Sequence, residues 1–143
     1  MRVVLDTNIW LDWLVFDDLA VVPLRSARRN GAIRIAISAT CLEELGRVLA
    51  YPEFNLDTAA RNGLFTQVRN CTYRVDTVLL SPLPACADPD DQKFLELARD
   101  AQADWLITKD KALLSLAKKS LDGAGFKIGT PEQWMLEFNT VKP

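Results

Sequence analysis

Val3-Val4-Leu5-Asp6-Thr7-Asn8 and Trp105-Leu106-Ile107-Thr108-Lys109-Asp110 share one pattern: three apolar residues, then a polar break that carries an aspartate. A short unbroken apolar run fits a strand buried on both faces. The polar residues that follow are good helix caps. Ile9, Trp10, Trp13 and Leu14 then recur at helical spacing. Working outward, Asp17 and Asp18 open a second predicted helix, closed by Asn30-Gly31. Residues 33–37 read as a second strand. Ser38 or Thr40 starts a helix to about Ala50, with Pro52 just beyond it. A further helical segment is expected over 57–70, weakened by Gly63. Residues 73–80 form a third strand candidate, and 81–89 a loop. Pro89 suits the first turn of a helix whose apolar stripe is Phe94, Leu97, Ala98 and Ala101. Residues 105–107 form the fourth strand, 111–119 a helix, 122–125 a turn and 126–128 a last short strand. Thr130-Pro131-Glu132-Gln133 caps a final helix. Strands alternating with helices predict an α/β chain with a mostly parallel sheet covered on both faces.

The chain has 143 residues, of which 49% are apolar and 25% charged. That length and balance predict one globular domain over residues 1–143 and exclude general disorder. No apolar run approaches the roughly 20 residues that span a bilayer. The opening MRVVLDTNIW meets an aspartate after three apolar residues, so the apolar core of a secretory signal is not expected. Seventeen basic against nineteen acidic side chains leave a net charge of −2. This excludes a strongly basic coat, while leaving room for a local basic patch. Cys41, Cys71 and Cys86 are odd in number and contain no CxxC. They indicate reduced thiols and a cytoplasmic setting. There is no histidine. Imidazole bases and histidine-bound zinc are therefore excluded, and any chemistry rests on carboxylates, hydroxyls, lysines or a hard metal ion.

In parallel sheets, ligands sit beyond the carboxyl ends of the strands. Asp6 ends the first strand, and Asp110 closely follows the fourth. Glu44 borders the apolar stripe of Cys41, Leu45 and Val48, whereas Glu43 points away and can pair with Arg47. Asp91 precedes Phe94 by three and Ala98 by seven, which places it on the inward stripe. Asp88 and Asp90 are nearby but less inward. Singly, each acid is as well explained as a cap, a dipole partner or a solvated flank. Together, four acids from separate segments are expected to converge on one sheet edge. Crowded carboxylates raise one another's pKa unless a cation neutralises them. Without imidazole, the fitting cation is oxygen-loving Mg²⁺ or Mn²⁺. Such an ion activates water and polarises a phosphoryl group, which points to hydrolysis of a phosphodiester.

The sequence resembles PIN-domain proteins, in particular the bacterial toxin components of toxin–antitoxin pairs (VapC-like ribonucleases). The matching pieces are Val-Leu-Asp6-Thr7-Asn8; Ser38 with Leu42-Glu43-Glu44-Leu45 and Val48-Leu49; Asp88-Pro89-Asp90-Asp91 with Phe94-Leu95 and Ala98; Ala103 through Asp110; and Thr130-Pro131-Glu132-Gln133-Trp134. They occur in the family's order over nearly the whole chain. The resemblance implies a three-layer α/β/α fold. It also implies a Mg²⁺- or Mn²⁺-dependent endoribonuclease acting on RNA, with a cognate antitoxin and a homodimer or higher homo-oligomer as partners. Asp6, Glu44, Asp91 and Asp110 match the family's catalytic, metal-holding acids. Thr7, Asn8 and Thr108 match polar positions that support them. The chain departs from many relatives in carrying Lys111-Ala112-Leu113 where another acid or an aromatic follows the last aspartate.

Asp6 and Asp91 are expected to hold the principal metal and Asp110 to complete or support that shell. Glu44 is expected to orient water or help bind a second ion, with Thr108 and Asn8 hydrogen-bonded to the carboxylates. Lys109 and Lys111 flank Asp110 as candidate phosphate contacts, with Lys118 and Lys119 near them. Arg25, Arg28, Arg29 and Arg34 cluster at one helix end, where a solvated face is the plainer reading. Trp10 and Trp13 are expected in the core or at a subunit interface in preference to stacking on bases. Two other functions suit the same acids: a Mg²⁺-binding phosphoacceptor module, and a catalytically silent RNA- or protein-binding domain. Against the first, the third strand candidate ends in Ser-Pro and has no acceptor aspartate.

Overall fold

Val3, Val4 and Leu5 are each at most 2% exposed, as an apolar strand covered on both faces requires. The computed structural model describes residues 1–77, 89–118 and 125–141. Five strands form one sheet: β1 (Arg2–Leu5), β2 (Arg34–Ile37), β3 (Thr72–Arg74), β4 (Trp105–Ile107) and β5 (Lys127–Gly129). Their order is β3-β2-β1-β4-β5, and every pairing is parallel. Helices α1 (Thr7–Leu14), α2 (Val22–Arg29), α3 (Ala39–Leu49), α4 (Thr58–Cys71), α5 (Gln92–Asp100), α6 (Lys111–Leu114) and α7 (Pro131–Val141) complete a three-layer α/β/α architecture. No described helix is long and apolar enough to cross a membrane.

Polar breaks at the strand ends start the helices. Ser38 Oγ accepts the Cys41 N–H to cap α3, and Asp57 Oδ1 accepts the Ala60 N–H to cap α4. At α7, Gln133 N–H donates to Thr130 Oγ1 while Gln133 Oε1 accepts the Thr130 N–H, a reciprocal capping box. The buried stripe of α5, with Phe94, Leu97 and Ala98, lies against β1 and β2 and touches α3. Trp134 of α7 is fully buried near β4 and β5. Side chains of this size contribute about 1.5–3 kcal/mol each when buried. Gly129 lets β5 close on its neighbour: a Cβ there would stand 2.7 Å from the Trp105 ring.

Several boundaries differ from expectation for local reasons. Asp17 has φ 50°, and Asp18 caps only a 3-10 turn (Leu19–Val21), so α2 begins later, with Pro23 in its first turn. Helix α4 runs through Gly63, where a side chain would meet open space. It reaches Cys71 and passes directly into β3, which starts one residue earlier than expected and ends at Arg74. Residues 78–80 of the expected strand lie outside the described residues, as do the loop over 81–88 and the turn over 122–124. Helix α6 stops at Leu114, where Ser115 Oγ bonds back to the Ala112 carbonyl at 2.7 Å. The last strand sits one residue later than expected, in register Trp105↔Lys127.

From β1 the chain steps outward to β2 and β3, then returns to β4 on the other side of β1. The direction reverses between β1 and β4, which makes their carboxyl ends the crevice where such sheets bind ligands. Asp6 and Thr108 are the first residues beyond those two strands.

Candidate functional site

Leu5 pairs with Ile107, and the Asp6 N–H bonds to the Ile107 carbonyl at 3.0 Å, so the two strand ends stay in register past the sheet. Asp6 is 4% exposed. Its Oδ1 accepts the Thr7 N–H at 2.7 Å, and its Oδ2 accepts the Thr108 hydroxyl at 2.6 Å. Thr108, itself fully buried, also accepts the Asp110 N–H at 2.9 Å. Asp110 Oδ1 caps α6 by accepting the Ala112 N–H at 2.8 Å. One hydroxyl thus orients both aspartates.

A second hydroxyl extends the chain of contacts. Thr7 Oγ1 donates to Glu44 Oε2. The other Glu44 oxygen, Oε1, lies 2.8 Å from Lys93 Nζ, and both side chains are largely buried at 17% and 14% exposure. The sequence runs in space as Asp110–Thr108–Asp6–Thr7–Glu44–Lys93. Burial is the main cause that pushes the Asp6 carboxyl up to about 6. The Thr108 hydroxyl and Thr7 amide oppose this, while the charges of Asp110 and Glu44 add to it. The Cys41 thiol, on the same side of α3, is pushed up to about 11, again mainly by burial. It stays protonated at neutral pH and is no nucleophile.

Asp91 closes the 3-10 turn Pro89–Asp91 and leads into α5, the helix from which Lys93 reaches Glu44. Asp90 is exposed, and Asp88 lies outside the described residues. Asn8 Oδ1 is buried without a hydrogen-bond donor among the described residues. Among those residues no group of three or more Cys, Asp or Glu side chains is disposed to hold a metal ion by itself.

Sequence reasoning missed Asp12. It lies on the buried side of α1, 4% exposed, and Lys109 Nζ reaches its Oδ2 at 2.5 Å. The signal was present: Asp12 stands three residues after Ile9 and beside Trp13, inside the apolar stripe. Lys109 therefore bridges α1 to the β4–α6 turn. Lys111 and Lys118 are exposed, and Lys119 lies outside the described residues. Trp10 and Trp13 are buried with ring centroids 5.3 Å apart. Trp105 and Trp134 are core residues.

Residues 2–112 match the family model for the PIN domain. The chain is 24% identical over 145 residues to the uncharacterized protein MJ1680 of Methanocaldococcus jannaschii, covering 96% of this chain and 92% of that one. Its fold resembles the crystal structure of PAE2754 from Pyrobaculum aerophilum, with a TM-score of 0.54 at 15% identity, over 98% of this chain and 90% of that one.

Proposed function

Because this chain belongs to the PIN-domain family, whose members are generally nucleases, we propose that it is a divalent-metal-dependent endoribonuclease hydrolysing RNA phosphodiester bonds. The observation that carries this reading is the Asp6–Thr108–Asp110 unit at the point where the sheet reverses direction. A buried carboxyl with raised affinity for a proton, next to two more negative charges, is a place that favours a cation.

The donors fit Mg²⁺ or Mn²⁺. All are hard oxygens, and Mg²⁺ is ordinarily held by one or two carboxylates with waters and phosphate oxygens filling the rest. A cage of three protein carboxylates is therefore not needed. The orphaned Asn8 Oδ1 offers an acceptor for a coordinated water or a ribose hydroxyl. Asp6 and Asp91 would hold the ion, directly or through water, with Asp110 in support; when bound, the ion would activate water and stabilise charge on the departing oxygen. Thr108 fixes the two strand-end carboxylates relative to each other. Thr7 and Lys93 hold Glu44 oriented, so that it can align the attacking water. Asp12 restrains Lys109 beside Asp110.

Incubation of purified protein with RNA in Mn²⁺, with and without chelator, tests this. The wild type should cut, and chelator or Asp6→Asn should stop it; an Asp6→Asn protein that cuts as fast as wild type ends the proposal. The role of toxin in a toxin–antitoxin pair, with an antitoxin partner and a homo-oligomer, rests on motif resemblance. Growth arrest by wild type and its absence with Asp6→Asn, on controlled expression, would support it.

A further inference from the structure

The chain is acidic overall, yet one side of it gathers arginine. Arg25, Arg28 and Arg29 line a cavity of about 380 Å³ between α2 and α4. Arg28 and Arg34 line a second, of about 250 Å³, beside β3. Arg69 and Arg74 line a third, of about 270 Å³, at the carboxyl ends of β2 and β3. The first two cavities share Arg28 and Cys71, and the last two share Thr72, so they adjoin one another and wrap around the edge strand β3. Among the described residues, no aspartate or glutamate lines any of the three.

The face is directional. Arg34 precedes Ile35, which pairs with Thr72, while Arg74 pairs with Ile37. Three residues of strand, roughly 10 Å, separate the two backbone positions, and side-chain alternation sets Arg34, stacked on Tyr73, on the opposite face of the strand pair from Arg74. The track therefore passes around the β3 edge as it runs from the amino to the carboxyl side. There it meets α3, whose Leu42 lines the third cavity and whose Glu44 joins the acidic unit. Ala39 and Thr40, in the first turn of α3, are exposed. A helix N-terminus favours phosphate.

Two arginines also lie over aromatic rings: Arg25 at 5.8 Å from the Trp13 centroid and Arg34 at 4.3 Å from that of Tyr73. Some of the charge is already used locally, since Arg25 pairs with Asp17 and Arg28 donates to the Asn70 carbonyl. The side chains of Arg29 and Arg74 make no hydrogen bond or ion pair with the described residues, and both are exposed.

We propose that this arginine-lined face binds the phosphate backbone of single-stranded RNA and leads it to the carboxyl edge of the sheet. The inference rests on the nuclease reading for its direction, but its binding test does not. Each phosphate contact with a single strand releases counterions, which steepens the fall of affinity with salt by about 0.7 per contact. The experiment is fluorescence polarisation of a labelled unstructured RNA in chelator, across a salt series. The proteins are wild type, Arg29→Glu/Arg74→Glu, and Arg47→Glu as a charge-reversal control on the exposed flank of α3.

The double variant should bind at least about tenfold more weakly, with a salt slope shallower by more than one. The control should stay within about twofold of wild type. Unchanged RNA affinity in the double variant overturns the proposal. So does an equal loss in the control, which would mean a response to net charge alone. If RNA affinity is unchanged while binding of polyglutamate falls, the face serves an acidic protein segment and the RNA track is wrong. Cleavage by wild type in Mn²⁺ separates the two readings: cutting with no binding defect in the variant sinks the track alone, and a binding defect without any cutting sinks the nuclease alone.

Discussion

Thr108 donates its hydroxyl to Asp6 across 102 positions of sequence, at 2.6 Å, and in doing so joins the ends of two neighbouring strands. The same oxygen accepts the Asp110 N–H. Thr108→Val keeps the shape and removes both interactions. Asp6 then remains buried without its strongest donor, a loss of about 1–3 kcal/mol for an unsatisfied buried group. Denaturant unfolding at neutral pH should show that loss, and RNA cleavage should fall by at least about tenfold. Thr108→Ser should recover most of both. A valine variant with native stability and rate would show that the hydroxyl orients nothing that matters.

Asp6 also makes stability depend on pH. Burial pushes its carboxyl up to about 6 in the folded chain, against 3.8 for an ordinary aspartate. Between those values the folded state holds a proton that the unfolded state has lost, so Asp6 subtracts stability as pH rises through that window. Above about pH 6 the subtraction is complete, on the order of 3 kcal/mol. Asp6→Asn cannot ionise and escapes it. In chelator, the stability of Asp6→Asn relative to wild type should increase from pH 4 to pH 7, and Mn²⁺ should narrow the gap at pH 7 by stabilising the ionised wild type. A gap that is flat with pH would contradict the assignment.

Lys93 already supplies a positive charge at Glu44. A divalent ion at the same oxygen would compete with it, so one ion per chain is the expected stoichiometry in the wild type. Lys93→Met releases Glu44 Oε1 and removes the repulsion. Calorimetric titration with Mn²⁺ should then show a second, weaker ion or a tighter first one. Identical isotherms for the two proteins would mean that Lys93 and the ion do not share this region.

Asp12 and Lys109 form a pair with one buried and one half-exposed partner, at 6% and 46% side-chain exposure. Lys109→Met strands the Asp12 charge and should cost about 1–3 kcal/mol, less than a fully buried pair because Lys109 stays in contact with solvent. Asp12→Asn/Lys109→Met should recover a large part of that. Additive losses in the double-mutant cycle would show the two side chains to be uncoupled.

Much of the architecture was legible because apolar runs and caps repeat the same physical message. Trp105-Leu106-Ile107 is a strand over the expected residues, and Ser38 and Asp57 cap their helices. The start of α2 was not legible, since two adjacent aspartates look alike in sequence and only Asp18 has the extended backbone that a cap needs. At the candidate site, the sequence placed Asp6 at the end of the first strand and Asp110 just past the fourth, as the structure does, but not the partners of the acids. Lys93 and Thr7 meet Glu44 through packing of α5 on α3 and α1 on α3, a tertiary relation that no spacing encodes. Asp12 was hidden for a related reason. A charged residue on an inward helix face is tolerated only when another segment brings its counterion, and Lys109 lies 97 positions away in the chain.

The acidic unit draws its parts from both ends of the family match, with Asp6 at the first strand and Thr108 at the fourth. A growing polypeptide on the ribosome carries Asp6 for 102 further positions before Thr108 exists to pair with it. If the activity is the one proposed, a nascent chain halted anywhere between the two is harmless to the transcript that encodes it, and competence to cut waits for the fourth strand.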